Sequence, residues 1–240
     1  MRNFTFNKEK HYYELDGRRL YGVTTILQVL NKPALIPWAV KMAIDYIKTN
    51  CKQDELMRYL VNLADLEAAK SAHRKKKEEA GAKGTDAHEI IEDTIKVSIT
   101  SEKGYLPPSL INVNPQVQHF IDWARNNKIQ FLASEKQVYS ELMWVAGTTD
   151  MVFIKDGKKY VGDVKTSSAI YPEHFYQMAA YRMMLEEMGE SDFEGSVVIR
   201  LGKDGKFNED KDVQFRFDYA TDRDAFLGAL AIFKAGETYK

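Results

Sequence analysis

The chain has 240 residues, of which 44% are hydrophobic and 29% charged, and its formal net charge at pH 7 is −1. This is the composition of an ordinary globular protein, and its apolar runs stay far below the ~20 residues that a membrane-spanning helix needs. The near-neutral charge confines any nucleic-acid contact to local basic patches. Cys51 is the only cysteine, which excludes an intrachain disulfide and disfavours a thiolate zinc site. The first ten residues lack an apolar signal-peptide core, so we expect a cytoplasmic protein with no membrane contact.

The first 80 residues are predicted to hold a short hairpin and two helices. Residues 11–15 and 18–21 flank an Asp-Gly dipeptide, which favours a tight turn between strands. Apolar residues recur with helical spacing over 38–49 and again over 55–80. The second helix carries a basic run. This run would either neutralise phosphate groups or form a solvated face whose positive charge two neighbouring glutamates balance. The run contains Lys70, His73, Arg74, Lys75, Lys76 and Lys77.

Two glycines, Gly81 and Gly84, interrupt this helical pattern. A capping-box-like start then predicts a new helix over residues 86–97. On that helix His88 and Glu92 are four residues apart and share one face. A lone histidine on a helix is most often structural, so its spacing alone does not assign it a function.

A loop, a helix and a strand are predicted next. Residues 98–114 contain Gly, Pro and Asn and are typical of a loop, while 115–126 have the pattern of a helix. Residues 131–139 are predicted to form a strand. Glu135 lies within that strand, either as an acidic site residue or as an ordinary solvent-facing side chain.

The clearest local signal is a hairpin in the second half of the chain. Apolar-rich runs at 145–154 and 160–164 flank the dipeptide at 156–157, which is Asp-Gly. If these two residues form the loop, the register places Asp150 directly opposite Asp163 on one face of the hairpin.

This register has an electrostatic consequence. Two carboxylates ~5 Å apart at an effective dielectric near 20 repel by roughly 3 kcal/mol. Lys165 lies two residues after Asp163, on the same face, and offsets part of that repulsion. A divalent cation offsets more, because hard cations such as Mg²⁺ prefer oxygen ligands. The alternative is a surface hairpin with solvated charges.

A helix follows the hairpin. Pro172 is suited to its first turn and the apolar pattern extends it over 172–188, where Gln177 and Tyr181 share one face. By themselves these two side chains are equally typical of an ordinary core helix. The remaining predicted elements are strands at 196–201 and 213–217 and a final helix at 221–235.

Taken together, these residues resemble the PD-(D/E)XK nucleases, and most closely the branch of RecB-like, Cas4-type, mitochondrial genome maintenance and phage exonucleases. The matching segments are Gly147-Thr148-Thr149-Asp150, Gly162-Asp163-Val164-Lys165-Thr166-Ser167, Gln177-x-x-x-Tyr181 and Gly84-Thr85-Asp86-Ala87-His88. A weaker similarity covers residues 23–27. Thr149 departs from the pattern, since it stands where the family has proline.

The resemblance implies a fold as well as a chemistry. The fold class would be α/β, with a restriction-endonuclease-like core in which helices flank a mixed central sheet. That core would occupy residues 115–240. Residues 1–114 would form a hairpin and helical region that carries the Gly-Thr-x-x-His motif, within one compact protein. In similar exonucleases such helices cover the active site and admit single-stranded ends.

The implied activity is that of an exonuclease, which hydrolyses DNA phosphodiester bonds from single-stranded or processed ends with Mg²⁺ or Mn²⁺. The metal ligands would be His88, Glu135, Asp150, Asp163 and the carbonyl of Val164. Lys165 would orient the attacking water or stabilise developing charge, while Gln177 and Tyr181 would position the DNA backbone or Lys165. Nucleic-acid contacts would come from Thr24, Thr25, Arg74, Lys75, Lys76, Lys77, Thr85, Thr166 and Ser167.

The resemblance also implies partners and setting. The partners would be DNA with single-stranded or duplex ends and a recombination or annealing protein. The setting would be the cytoplasm of a bacterial or phage-infected cell. A single cysteine excludes the four-cysteine iron–sulfur cluster of some relatives. Three alternatives remain open: a structure- or sequence-specific endonuclease, a noncatalytic nucleic-acid-binding relative, and an unrelated metal hydrolase acting on small phosphates.

Overall fold

A computed structural model of the protein describes residues 2–30, 32–101, 103–202 and 205–238, without the side chains of residues 80–86. The strands are β1 (Phe4–Asn7), β2 (Tyr12–Leu15), β3 (Arg18–Gly22), β4 (Lys52–Gln53), β5 (Tyr59–Leu60), β6 (Gln130–Ser140), β7 (Val145–Lys155), β8 (Lys158–Lys165), β9 (Phe193–Arg200) and β10 (Val213–Arg216). The helices are α1 (Val23–Ile26), α2 (Leu35–Asn50), α3 (Leu63–Ile99), α4 (Pro115–Asn126), α5 (Pro172–Glu187), α6 (Glu209–Asp212) and α7 (Tyr219–Thr238), with a 3₁₀ turn at Leu27–Val29.

A mixed sheet forms the centre of the protein. Its strands run in the order β1-β2-β3-β7-β8-β9-β10, and β6 pairs with β7 outside that path. The β3–β7 and β8–β9 pairs are parallel, whereas the other pairs of this sheet are antiparallel. The protein is therefore α/β with a mixed central sheet flanked by helices, as the sequence predicted.

Both predicted Asp-Gly hairpins are confirmed. Asp16 and Gly17 have φ of 50° and 75°, and Asp156 and Gly157 have φ of 51° and 75°. Positive φ at both central residues is the type I′ turn, whose twist matches that of the flanking strands. The second turn sets Lys155 opposite Lys158, as predicted, and the register continues without a shift along the β7–β8 pair.

Helices bury apolar residues on both faces of the sheet. Phe175 and Met178 of α5 and Phe226 of α7 pack on one face. Ile91 and Ile95 of α3 pack on the other, together with the α4 residues Phe120, Ile121 and Trp123. Strand β9 shows the alternation that this requires, since Val198 belongs to the first cluster and its neighbours Val197 and Ile199 belong to the second.

Two predictions about the helices are wrong. Residues 55–62 are not helical, because β4 and β5 form a small antiparallel pair and α3 begins only at Leu63. At that start the Asn62 side chain accepts from the Asp65 amide at 3.0 Å, and the Asp65 side chain accepts from the Asn62 amide at 3.1 Å. The predicted break at 81–84 is also absent, since the α3 backbone continues through it. Each helical glycine costs only about 1 kcal/mol relative to alanine.

The chain forms two compact units. One runs to Leu30 and resumes at Ala87, and the other lies between these points and ends at Asp86, so the division falls within α3. The predicted boundary at 114/115 differs from this one. The first hairpin joins the central sheet through the β3–β7 pair, and Ile91 and Ile95 pack with α4.

None of the helices in the described ranges combines the length and apolar character that crossing a membrane requires.

Candidate active site

The candidate site lies where β7 and β8 separate. Their last paired residues are Met151 and Gly162, so Asp150 and Asp163 come immediately after the end of the ladder, in the predicted register. Beyond that point the Val164 amide donates to a side chain and not to a backbone carbonyl of β7. Its acceptor is Asp150 Oδ2, at 2.7 Å.

This hydrogen bond also orients the Val164 carbonyl. In an extended strand the N–H and C=O of one residue point towards the same neighbouring strand. The Val164 amide points towards β7, so its carbonyl does too, while the next carbonyl, of Lys165, turns the other way and accepts from the Leu201 amide at 2.8 Å. The Val164 carbonyl therefore faces the gap beside Asp150.

Asp163, Lys165, Gln177 and Tyr181 form one continuous polar chain. Lys165 Nζ lies 2.5 Å from Asp163 Oδ2 and donates to Gln177 Oε1 at 3.1 Å, and Gln177 Nε2 donates to the Tyr181 hydroxyl at 2.7 Å. Asp163 is only 2% exposed. Despite the ion pair, its Oδ2 makes no hydrogen bond of acceptable geometry within the described part of the protein. The sequence predicted that these four side chains share one site, and the structure brings them together.

Neighbouring charges shift the ionisation of Asp150 and Lys165. Burial, followed by the negative charge of Asp163, raises the pKa of Asp150 well above its usual range. Burial alone would lower the pKa of Lys165, but Asp163 and Asp150 together outweigh it and raise that pKa. The lysine therefore stays charged and offsets the carboxylate repulsion, as the hairpin register predicted.

His88 lies beside the same carboxylates. Its Nδ1 is 3.5 Å from Asp150 Oδ2. Burial lowers the pKa of His88, so the imidazole is neutral near pH 7, the form that ligates metals. Glu92, four residues later on α3, forms an ion pair with Lys96.

Glu135 completes the acidic cluster from β6. The register on either side pairs Ser134 with Met151 and Lys136 with Thr149, which places Glu135 opposite Asp150. Its φ of 46° is unusual for a strand residue and bends the backbone at this point. Burial, then the charges of Glu92 and Asp163, raises the pKa of Glu135 from 4.5 to about 7. The open alternative of a solvent-facing glutamate does not describe this half-buried side chain.

This shift predicts a pH dependence of stability for the metal-free protein. The folded protein keeps the Glu135 proton between the ordinary pKa of 4.5 and the raised pKa of about 7, so the free energy of unfolding should fall as pH rises through that window. The full shift corresponds to about 3 kcal/mol, and solvent screening reduces the expected loss to roughly 1–2 kcal/mol. Glu135→Gln should flatten the decline in urea unfolding between pH 4.5 and 7.5. The exposed Glu89→Gln should not, and an equal slope in both variants would contradict the assignment.

Close packing of Tyr181 on β7 depends on a glycine. A Cβ on Gly147 would lie 2.4 Å from Tyr181 Cε1. Gly147→Ala should therefore displace the buried ring and lower the free energy of unfolding by roughly 1–3 kcal/mol. The control is Gly228→Ala in α7, where an added Cβ meets open space and the change should stabilise by up to about 1 kcal/mol. Equal stability of the two variants in urea titrations would contradict the packing role of Gly147.

The predicted nucleic-acid contacts are dispersed. Thr24 and Thr25 are exposed on α1, whereas Thr166 and Ser167 are half-buried directly after β8. Ser167 Oγ donates to the Ala169 carbonyl at 2.7 Å. The side chain of Thr85 lies outside the described residues.

The basic run belongs to the unit that lies between Leu30 and Ala87. Its Arg74, Lys75, Lys76 and Lys77 are all exposed on α3. Lys76 lies 3.8 Å from Glu79, and Lys70 lies 3.6 Å from Glu67. Glutamates therefore compensate part of the positive charge of the run, as the solvated-face alternative predicted. Arg74, Lys75 and Lys77 are exposed beside them.

Sequence reasoning missed Tyr13, which reaches this area from the first hairpin. Its hydroxyl is 2.8 Å from Thr148 Oγ1, and burial, followed by the charge of Glu135, raises its pKa. No local pattern could have found it, because the contact depends on the parallel pairing of β3 with β7.

The donor set suits a hard divalent cation. Asp163 supplies a buried carboxylate and Asp150 a partly buried one, and the Val164 carbonyl faces the same gap. Among the described residues, no three His, Cys, Asp or Glu side chains are grouped closely enough to hold an ion by themselves. Mg²⁺ does not require that, because it keeps several waters and is often held by one or two carboxylates plus substrate phosphate.

Comparisons with known proteins leave this site to be interpreted from its own residues. No protein-family model matches the chain, and no curated protein matches it.

Proposed function

We propose that the protein is a metal-dependent DNA exonuclease of the PD-(D/E)XK type, with a restriction-endonuclease-like fold, acting on single-stranded or processed ends. The observation that carries the proposal is the polar chain Asp163–Lys165–Gln177–Tyr181 beside Asp150. A cation and two carboxylates in one place, one of them buried and the other partly buried, suit a reaction in which phosphate charge and a nucleophilic water must be held together.

The roles of the residues follow from their positions. Asp150, Asp163 and the Val164 carbonyl would hold Mg²⁺ or Mn²⁺, with His88 and Glu135 next to them. The bound cation would lower the pKa of a water and neutralise charge on the scissile phosphate. Lys165, charged and directed by Gln177 Oε1, would stabilise the charge that develops on phosphate. Tyr181 anchors Gln177 and so holds Lys165 in place.

The preference for ends over internal bonds rests on the resemblance alone, and one assay tests it. With Mg²⁺, the protein should degrade linear single-stranded DNA progressively and leave closed circular single strands intact. Gel analysis of both substrates, with and without excess EDTA, gives the readout. Equal attack on circles would replace the exonuclease with an endonuclease, and full activity in EDTA would rule out the metal-dependent mechanism. Binding without cleavage under all metals would indicate a noncatalytic nucleic-acid-binding protein.

A further inference from the structure

A cavity of about 420 Å³ opens at the edge of the sheet where β8 and β9 end. It lies between the loop that follows β8 and the segment that leads from β9 to β10. The residues that matter here are Ile170, Arg200, Lys206, Phe207, Lys211 and Asp212. Its volume falls within the range of small-molecule sites, roughly 300–1,000 Å³.

The cavity is one strand away from the candidate active site. Lys165 and Arg200 are register partners in the parallel β8–β9 pair, as are Asp163 and Val198. Neighbouring strands are about 4.8 Å apart, and partner residues project from the same face of the sheet. Arg200 therefore lies on the face that carries Asp163 and Lys165, and the cavity opens beside it at the ends of the strands.

The lining of the cavity is basic, although the chain carries a net charge of −1. Arg200, Lys206 and Lys211 contribute three cations, and Asp212 contributes one carboxylate. That carboxylate is buried and already bonded, since it accepts from Arg200 Nε at 2.6 Å and from the Asn208 amide at 2.8 Å. Lys211, which is exposed at the cavity, then supplies a positive charge that suits a phosphate group.

One wall of the cavity is aromatic and held in place. Phe207 stacks on His119 with ring centroids 5.4 Å apart and an interplanar angle of 16°. His119 Nε2 is 3.0 Å from the Gly205 carbonyl, and Gln116 Nε2 donates to the Leu201 carbonyl at 2.7 Å. These contacts tie the β9–β10 segment to α4. A fixed aromatic ring beside cations is the combination that binds single-stranded nucleic acids through stacking and phosphate contacts.

The geometry points to a nucleotide subsite in this cavity. It would hold one nucleotide of the bound strand next to the bond being cut, with its phosphate at Lys211 and Arg200 and its base against Phe207. This inference rests on the proposed nuclease function and adds to it the path that the strand takes from Lys165 across β9.

The phosphate half of the inference is tested by binding in EDTA, where cleavage is absent. Fluorescence anisotropy would measure the affinity of a labelled oligothymidylate as a function of salt. Removing one phosphate contact from a single strand changes the log–log salt slope by about 0.7, and Lys211→Gln should show that change. Lys234→Gln on α7 removes another exposed lysine, away from the cavity, and should behave as wild type. Identical slopes for all three proteins would overturn the phosphate contact.

The base half is tested by photocrosslinking. A linear oligonucleotide that carries one 5-iododeoxyuridine, placed at successive positions, should crosslink at one of them to the peptide that contains Phe207. Phe207→Leu should abolish that crosslink and weaken binding roughly 5-fold or more, the lower limit for a lost base–aromatic stack. Crosslinks that map only outside residues 205–214 would overturn the inference.

Two further outcomes separate the inference from the proposed function. If wild type cuts DNA while the crosslink maps elsewhere, the nuclease stands and the subsite fails. If wild type cuts no DNA with Mg²⁺ or Mn²⁺, the nuclease fails. Binding of thymidine monophosphate provides a third measurement. Suppose that it binds wild type but not Lys211→Gln, and that the oligonucleotide does not crosslink to the Phe207 peptide. The cavity then takes free nucleotides, and the strand path is overturned.

Discussion

Asp163→Asn should abolish cleavage of linear DNA, with a loss of roughly 10³-fold or more. Asp163 is a buried carboxylate, and the amide cannot supply the charge that a divalent cation needs. Metal-ion stabilisation of the transition state is worth several kcal/mol, and each 1.36 kcal/mol corresponds to about tenfold in rate. Single-turnover cleavage measures the loss, and calorimetric titration with Mn²⁺ should show the metal affinity reduced in parallel.

The fold of this variant should survive, because two effects oppose each other. The substitution removes the repulsion between Asp163 and Asp150, roughly 3 kcal/mol at 5 Å and an effective dielectric of 20. It also removes the 2.5 Å ion pair with Lys165, which keeps its contact with Gln177. The melting temperature should stay within a few degrees of wild type.

A matched control for this variant lies in the same hairpin. Asp156→Asn makes the same change at the exposed turn, where asparagine tolerates positive φ. It should leave cleavage unchanged. Wild-type activity in Asp163→Asn, or equal losses in both variants, would contradict the assigned metal site.

Lys165→Ala should lower the rate of the chemical step by about 10²–10³-fold, the usual effect of removing one group that stabilises transition-state charge. Lys165 is held between Asp163 and Gln177, and the neighbouring carboxylates keep it charged. Its removal also takes a positive charge away from both carboxylates, so Mn²⁺ should bind as tightly as in wild type or more tightly. Cleavage kinetics and calorimetric titration of the same protein separate the two effects.

Lys158→Ala is the control for the lysine. It lies at the other end of β8 and forms an exposed ion pair with Glu194, so its loss should change neither rate nor metal affinity. If Lys165→Ala lost metal binding but kept most of the rate, the lysine would be a structural partner of the carboxylates and the proposed chemistry would be wrong.

The local features of the site could be predicted from sequence because they depend on neighbours along the chain. An Asp-Gly dipeptide tolerates the positive φ of a type I′ turn, so residues 156–157 set the register that places Asp150 opposite Asp163. Strand alternation then puts Lys165 beside Asp163, and helical spacing puts Gln177 and Tyr181 on one face. Each of these relations extends over fewer than about 20 residues.

Longer-range features of the site required the tertiary structure. The parallel pairing of β3 with β7 brings Tyr13 to Thr148, and the β8–β9 register brings Arg200 beside Lys165. The positive φ of Glu135 occurs within the β6–β7 pairing, on a residue that the local pattern predicts as an ordinary strand residue. Pairing between distant strands uses backbone N–H and C=O groups, which nearly every residue carries, so the local sequence does not specify which strands pair. The packing of the core selects among the possible pairings.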